Sequence, residues 1–475
     1  MRNVKGTSFR RLSDEQCLKL HGASLQILER TGVRLYHQPA IDLLRKAGAR
    51  VSDGNRVRIP PALVERALDT VPHEVTLFDR QGEPAIRLGG KRTFFGTGSD
   101  CLNIVDHRSG ERREPVLQDV VEGITLCDAL RNIDFVMSMF LPVDVPGEVA
   151  DRYQMEAMLS HTTKPIVFVT TDLQGCLDAV AMAGAVVGGA DALQKRPLAA
   201  CYINVTTSLR HNEEALQKLL CLSGKGLPAI YVPLALGGVT APITLAGNMA
   251  LWNAGSLVGL LLSQLSRPGA PFISSGWGAS ALDMRTMVSA YVEPEKQFIA
   301  QELAHLYSLP MFALGGCSDS KLVDQQAGIE AALTLMTNLL AGSHLVHDLG
   351  YLESGLSGSL AQLVICDELI SWLRTSLSAL EITDETLALD LIDEVGPDGH
   401  FTESDHTLVH FRERWYPTLV ERYDYQSWLA SGGQDLGQRA AARVDEILDQ
   451  HRPEPLPFDV QNRLRDVVHQ TAEGV

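Results

Sequence analysis

The stretch LPMFALGGCSDSK, residues 309–321, begins as an apolar strand and ends in a polar turn that holds Gly315, Gly316, Cys317, Ser318, Asp319, Ser320 and Lys321. Loops at strand ends often carry chemistry. Cys317 would act as a nucleophile or metal ligand only as its thiolate. No His or second Cys lies near it in sequence, so a small buried hydrophobe is the competing reading. Ser318 or Asp319 suits a helix N-cap, and the glycines would let backbone come close to a ligand. A second stretch, SHLVHDLG (343–350), carries His344, His347 and Asp348. Two histidines three apart on a strand point to opposite faces, which disfavours a shared metal and predicts one ring inside and one outside. Four more strand ends offer Phe94, Phe95, Thr97 and Asp100; Tyr202 and Asn204; Tyr231; and Ser274, Ser275 and Trp277. Aromatic faces and carboxylates with few Lys or Arg suit a small organic cation. Phosphate recognition would need basic groups or glycine-rich helix N-termini. No HExxH, P-loop or nucleophile-elbow motif occurs.

These residues need a scaffold that gathers strand ends. Eight short apolar runs recur: TFFGTG (93–98), IDFVMSMF (133–140), KPIVFVTT (164–171), PLAACYINV (197–205), LPAIYVPLAL (227–236), APFISSG (270–276), LPMFALGG (309–316) and SHLVHDLG. Their centres are roughly 30 to 42 residues apart, enough for a strand, a helix and two loops. Eight such units between 91 and 375 predict an α/β fold, a (β/α)8 TIM barrel, with its site at the C-terminal strand ends. The absence of GxGxxG after the first strand argues against a doubly wound sheet. Residues 1–90 read as an N-terminal extension: a helix over LSDEQCLKLHGASLQILERTG closing at Gly32, a second over IPPALVERALDTVP, and a β-hairpin around Gln81-Gly82. Residues 376–475 are polar and helical, and read as a C-terminal extension serving an oligomer or partner surface, or capping the barrel.

With 475 residues, 45% of them hydrophobic and 21% charged, the chain can bury a large core. A net charge of −17 excludes an ordinary nucleic-acid partner. The eight cysteines are scattered without a CxxC pair, so neither a disulfide framework nor a cysteine zinc site is expected. The start has no apolar signal segment, and MALWNAGSLVGLLLSQL (249–265) is too short and too polar to span a bilayer. A cytoplasmic protein is expected.

The stretches GGCSDSKLVDQQAGIEAAL, AGSHLVHDLGYLESGLSGSLAQLVICDE, GGVTAPITLAGN and FGTGSDCLNIVD, with LERTGVRLYHQPAIDLLRKAGARVSDGNRVRIP near the start, resemble the trimethylamine methyltransferase family. The resemblance runs over essentially the whole chain. It implies a TIM barrel that moves a methyl group from a methylamine to the cobalt of a corrinoid, the cobalamin-type cofactor being supplied by a partner corrinoid protein. Founding members carry pyrrolysine; this chain has only the twenty standard residues, and Cys317 or a neighbour is expected at that place. A quaternary ammonium needs no general acid, because its leaving group is already a neutral tertiary amine. The resemblance therefore implies a pyrrolysine-free branch acting on quaternary amines, glycine betaine first, with proline betaine, carnitine and trimethylamine, or a betaine-binding barrel without turnover, as alternatives. Expected roles are His347 as polar anchor for a betaine carboxylate, with backbone N–H groups of GGCSDS or Asn204 as other donors; Phe95, Tyr202 and Trp277 for the ammonium; and Asp100, Cys317 and Asp319 as further lining. No resident metal and a homo-oligomer are expected.

Overall fold

Seven strands form one all-parallel sheet in spatial order one, eight, seven, six, five, four, three. They are Phe94–Phe95, Leu345–His347, Met311–Leu314, Phe272–Ser275, Ala229–Pro233, Ala199–Val205 and Ile166–Val169. The remaining run, 133–140, closes the circle through single bridges, Gly96 to Phe135 on one side and Val136 to Ile166 on the other. Its ladder stays irregular because Met139 takes a left-handed φ of 59°. Each strand is followed by a helix, from Leu117–Ala129 after the first to Leu360–Ser376 after the eighth. The fold is therefore the (β/α)8 barrel, with all eight expected runs as its staves. The computed structural model describes residues 9–276, 279–293, 296 and 298–472 of the 475.

Alternation along each strand sorts the side chains. Val167 and Val169, Ala200 and Tyr202, Ile230 and Val232, Ile273, Phe312 and Leu345 share one interior cluster, as inward positions of a barrel must. The expected hairpin is present as Val75–Phe78 and Pro84–Leu88. Its apolar side chains close the barrel from below. Val75, Leu77, Ile86 and Leu88 join that same cluster beneath Phe94 and Leu345, so the hairpin is the barrel's floor.

The apolar run after strand five forms the 22-residue helix Leu245–Ser266. By length and composition it could cross a membrane, yet 78% of its apolar window is buried in the protein. Three N-terminal helices (Asp14–Gln26, Gln38–Ala47 and Pro61–Thr70) pack on it from outside and strands five and six from inside, which is why it is apolar all round. Gln38–Ala47 and the small sheet Val33–Leu35, Arg50–Ser52, Arg56–Arg58 were not expected from the sequence pattern. At the other end, Leu436–Gln450 packs on the first and last barrel helices, and Phe458–Ala472 on the second and third.

Candidate active site

At the C-terminal ends of the strands, three stretches meet: GTGSD after strand one, GGCSDS after strand seven and HDLGYLESG after strand eight. His347 ends strand eight, on the inward face set by Leu345. Its ring stacks on Phe312 at 3.8 Å between centroids and lies 6.2 Å from Tyr202, which is itself 5.4 Å from Phe312. Nδ1 is 2.6 Å from the Ala313 carbonyl oxygen. A carbonyl only accepts, so Nδ1 carries the proton and Nε2 presents a lone pair. Burial pushes the imidazole down to about 3, against the opposing effect of the Ala313 hydrogen bond, so the ring is neutral at pH 7.

Asp348 follows with a left-handed φ of 72°, which turns the chain out of the strand and aims the carboxyl into the site. One oxygen lies 3.5 Å from His347 Nε2. Burial pushes this carboxyl up to about 8, and a hydrogen bond from the Tyr291 hydroxyl opposes the shift. Close packing depends on Gly98: a Cβ there would lie 1.9 Å from the Asp348 Oδ1 and 2.6 Å from the Tyr351 hydroxyl and ring. The Tyr351 hydroxyl donates to the Met139 carbonyl at 3.2 Å. A second carboxylate, Asp100, accepts from Gln154 Nε2 at 2.9 Å. Burial raises it, and the charge of Asp151 adds to that. Tyr202, Tyr291 and Tyr351 are all held as neutral phenols, first by burial; Asp348 comes next for Tyr202 and Tyr291, Cys101 and then Asp348 for Tyr351, and Asp100 adds to Tyr202 and Tyr351.

The expected site residues divide accordingly. Tyr202, His347 and Asp100 belong to this cluster. Asn204 shares the inward face of strand four with Ala200 and Tyr202, yet it is exposed; an exposed inward position means the barrel is open there. Cys317 is buried beside Asp348 and Asp319, and burial with those charges drives its thiol well above the ordinary range; it is a thiol, not a thiolate. Asp319 works on the protein itself, accepting from the backbone N–H groups of Tyr291 (2.9 Å) and Val292 (3.2 Å) and from the Ser354 hydroxyl (2.6 Å). Trp277 falls outside the described residues.

Four expectations need correction. Phe95 faces the helical layer, because its neighbour Phe94 takes the inward position. Its ring lies 5.2 Å from the Arg374 guanidinium, which pairs with Asp134 at 2.8 Å. Phe95→Leu is therefore expected to leave KM within about threefold of wild type while removing a cation–π contact worth roughly 1 kcal/mol; steady-state kinetics beside thermal melting checks this. His347 is no donor to a carboxylate, since its single N–H is spent on Ala313. The glycine turn does not bring backbone to a ligand either. Gly316 (φ 71°) is pressed against Leu349, where a Cβ would lie 2.2 Å from Cδ2. The N–H groups of Gly315, Gly316, Ser318, Asp319 and Ser320 all donate within the protein. The helix N-cap is Asp324 rather than Ser318 or Asp319. His344 sits at the start of its strand, tied to Gly90 and Met311 and far along the strand from His347.

A family model for trimethylamine methyltransferase matches residues 2–475. The chain belongs to the trimethylamine methyltransferase family. It is 34% identical over 474 residues to a trimethylamine methyltransferase of Desulfitobacterium hafniense, covering 99% of this chain and 95% of that one. It is 32% identical over 472 residues to a glycine betaine methyltransferase of the same species, covering 98% and 97%. Among solved structures, the monomethylamine methyltransferase of Methanosarcina barkeri superposes with a TM-score of 0.51 at 12% identity, over 99% of this chain and 89% of that one, a likeness of fold. As a member of the trimethylamine methyltransferase family, the protein is a methyltransferase. Tyr291, Tyr351 and Gln154 were not expected from the sequence: none ends a barrel strand, and the family motif DLGYLESG, which contains Tyr351, was the one available signal.

Proposed function

We propose that this methyltransferase takes a methyl group from a quaternary amine, glycine betaine first, and gives it to the Co(I) corrinoid of a partner corrinoid protein, leaving a tertiary amine such as dimethylglycine. The observation that carries the reading is the wall of the site: the buried carboxyl at 348 and the half-buried one at 100, among neutral tyrosines, with the nearby cysteine held as a thiol. Such a wall suits a fixed cation and offers no nucleophile of its own, so the methyl acceptor comes from outside. The open inward position at Asn204 fits an acceptor arriving from the mouth. When bound, the reduced corrinoid supplies the nucleophile.

The chain's residues bind, orient and desolvate. Tyr202 and Phe312 give faces to the ammonium, and Asp348 gives the counter-charge. The C–N bond breaks with its electron pair remaining on nitrogen, so the departing amine is neutral and needs no proton. Asn204, two residues beyond Tyr202 and so about 6–7 Å further along the same face, offers an amide N–H to a betaine carboxylate. Asn204→Ala should raise KM for glycine betaine about tenfold, in line with a hydrogen bond to a charged group, and leave KM for a quaternary amine lacking a carboxylate unchanged. His347 positions Asp348: tethered to Ala313 and stacked on Phe312, it places Nε2 to accept a hydrogen bond from the protonated Asp348 carboxyl. His347→Ala is expected to lower kcat/KM at least tenfold, and activity within a few-fold of wild type would remove His347 from the site.

The function itself is tested by anaerobic incubation with chemically reduced cob(I)alamin and, separately, trimethylamine, glycine betaine, proline betaine or carnitine. Methylcobalamin should appear with one quaternary amine and not with trimethylamine. Tight binding without transfer to either free cobalamin or a corrinoid protein would favour a binding barrel without turnover.

A further inference from the structure

Three loops at the C-terminal ends of the barrel strands converge on one side chain. The turn after strand seven is fixed by the helix that follows it, Gln325–Ala341: Glu330 accepts from the Ser318 hydroxyl at 2.6 Å and from the Asp319 backbone N–H at 2.8 Å. From that fixed backbone Asp319 turns its carboxylate toward the loops after strands six and eight. Oδ1 accepts from the Tyr291 N–H at 2.9 Å and from the Ser354 hydroxyl at 2.6 Å, and Oδ2 accepts from the Val292 N–H at 3.2 Å. On the strand-eight side the contact is made by a strained residue. Ser354 has φ 53° and ψ 35°, a left-handed conformation that a non-glycine residue keeps only where its surroundings impose it.

The strand-six side explains what the clasp is for. Ala279–Asp283 leaves the barrel wall and pairs with Ala235–Gly237 and with Val288–Ser289. Beyond that small sheet the chain is fastened at Tyr291 and Val292 by Asp319. The far end of Tyr291 lies in the site: its hydroxyl hydrogen-bonds Asp348, and a Cβ at Gly355 would lie 2.1 Å from it. Tyr291 is thus held at its backbone by one carboxylate and presented by its hydroxyl to another. The first must be a carboxylate. Asparagine has the same shape, but its amide would set an N–H group against the Tyr291 and Ser354 donors or against the Val292 N–H, and one arm of the clasp would be lost.

We infer that Asp319 is a positioning residue for methyl transfer, acting through Tyr291: its clasp on the Tyr291–Val292 backbone sets the Tyr291 hydroxyl against Asp348. The effect on transfer rests on the proposed function; the placement of Tyr291 does not. Asp319→Asn and Tyr291→Phe should each lower kcat/KM for glycine betaine about tenfold, the scale of one hydrogen bond to a charged group. The double variant should lose no more than either single one, because both changes remove the same contact. A second measurement needs no substrate. Without the Tyr291 hydroxyl the Asp348 carboxyl rises further, so the decline of stability with rising pH should end about one pH unit higher than in wild type. Asp319→Asn should give the same displacement. His347, Tyr202, Tyr351, Cys101 and Cys317 also face Asp348; neither substitution alters them, so a displacement common to both variants reports Tyr291. Ser354→Ala removes one of the three donors and should cost about threefold, a loss that disappears in the Tyr291→Phe background; it carries the test if Asp319→Asn does not fold. Losses that multiply in the double variants overturn the inference, and so does an Asp319→Asn protein whose stability levels off at the wild-type pH while that of Tyr291→Phe does not. If the wild-type protein transfers no methyl group, the functional proposal fails and the stability profiles still decide the role of Asp319.

Discussion

Replacing Asp348 with asparagine is expected to remove most of the activity and to make the protein more stable. A carboxylate about 5 Å from a quaternary nitrogen contributes roughly 3 kcal/mol at an effective dielectric of about 20, so kcat/KM should fall about 100-fold. The stability change has the opposite sign. The carboxyl is pushed up to about 8 in the folded protein, whereas an unfolded Asp titrates near about 3.9. No stability is lost below the unfolded value. Between the two values the unfolded chain gives up a proton that the folded one keeps, so wild-type stability declines as pH rises from about 4 to about 8 and is level beyond. At pH 7 the deficit is on the order of 2–4 kcal/mol, and asparagine removes it. Denaturant unfolding of both proteins from pH 4 to 9, beside kcat/KM, measures both effects. A variant that keeps activity, or that is less stable at pH 7, would show that Asp348 is not a strained counter-charge.

Gly98→Ala should be equally damaging for a different reason. The added methyl would lie 1.9 Å from Asp348 Oδ1 and 2.6 Å from the Tyr351 hydroxyl. Asp348 has little room to retreat, because its backbone is in the left-handed region and Tyr291 holds its side chain. Overfilling a packed site costs about 1–3 kcal/mol, and displacing the counter-charge should again lower kcat/KM about 100-fold. The stability signs separate the two variants: Asp348→Asn melts higher and Gly98→Ala melts lower. An active Gly98→Ala protein would mean that the Asp348 position is not used.

The barrel was legible in the sequence because each strand is an apolar run with a fixed spacing to the next, and spacing survives without knowledge of contacts. Orientation on the short first strand was not. Phe94 and Phe95 are the same residue type, and which one faces inward is decided by pairing with Leu345 and Val346, a contact far away in sequence. Tyr202 and His347 were found because they stand on regular strands, Tyr202 within Ala199–Val205 and His347 at the end of Leu345–His347. Tyr291 was not, because its place is set by the Asp319 carboxylate holding its backbone N–H, and such a clasp leaves no periodic trace. The proton on His347 was equally hidden. Only the Ala313 carbonyl, from the neighbouring strand, shows that the ring donates from Nδ1 and leaves Nε2 as the acceptor.

If a quaternary ammonium is held as the counter-ion of Asp348, its arrival must expel the proton that Asp348 carries at pH 7. Calorimetric titration of glycine betaine at pH 7, in buffers of different ionisation enthalpy, should report about 0.9 proton released per ligand bound, falling toward zero above about pH 9, with affinity rising about tenfold from pH 6 to 7, about fivefold from 7 to 8, and levelling off beyond. Heats that do not depend on the buffer, or a proton taken up on binding, would contradict the account and place the cation elsewhere in the barrel.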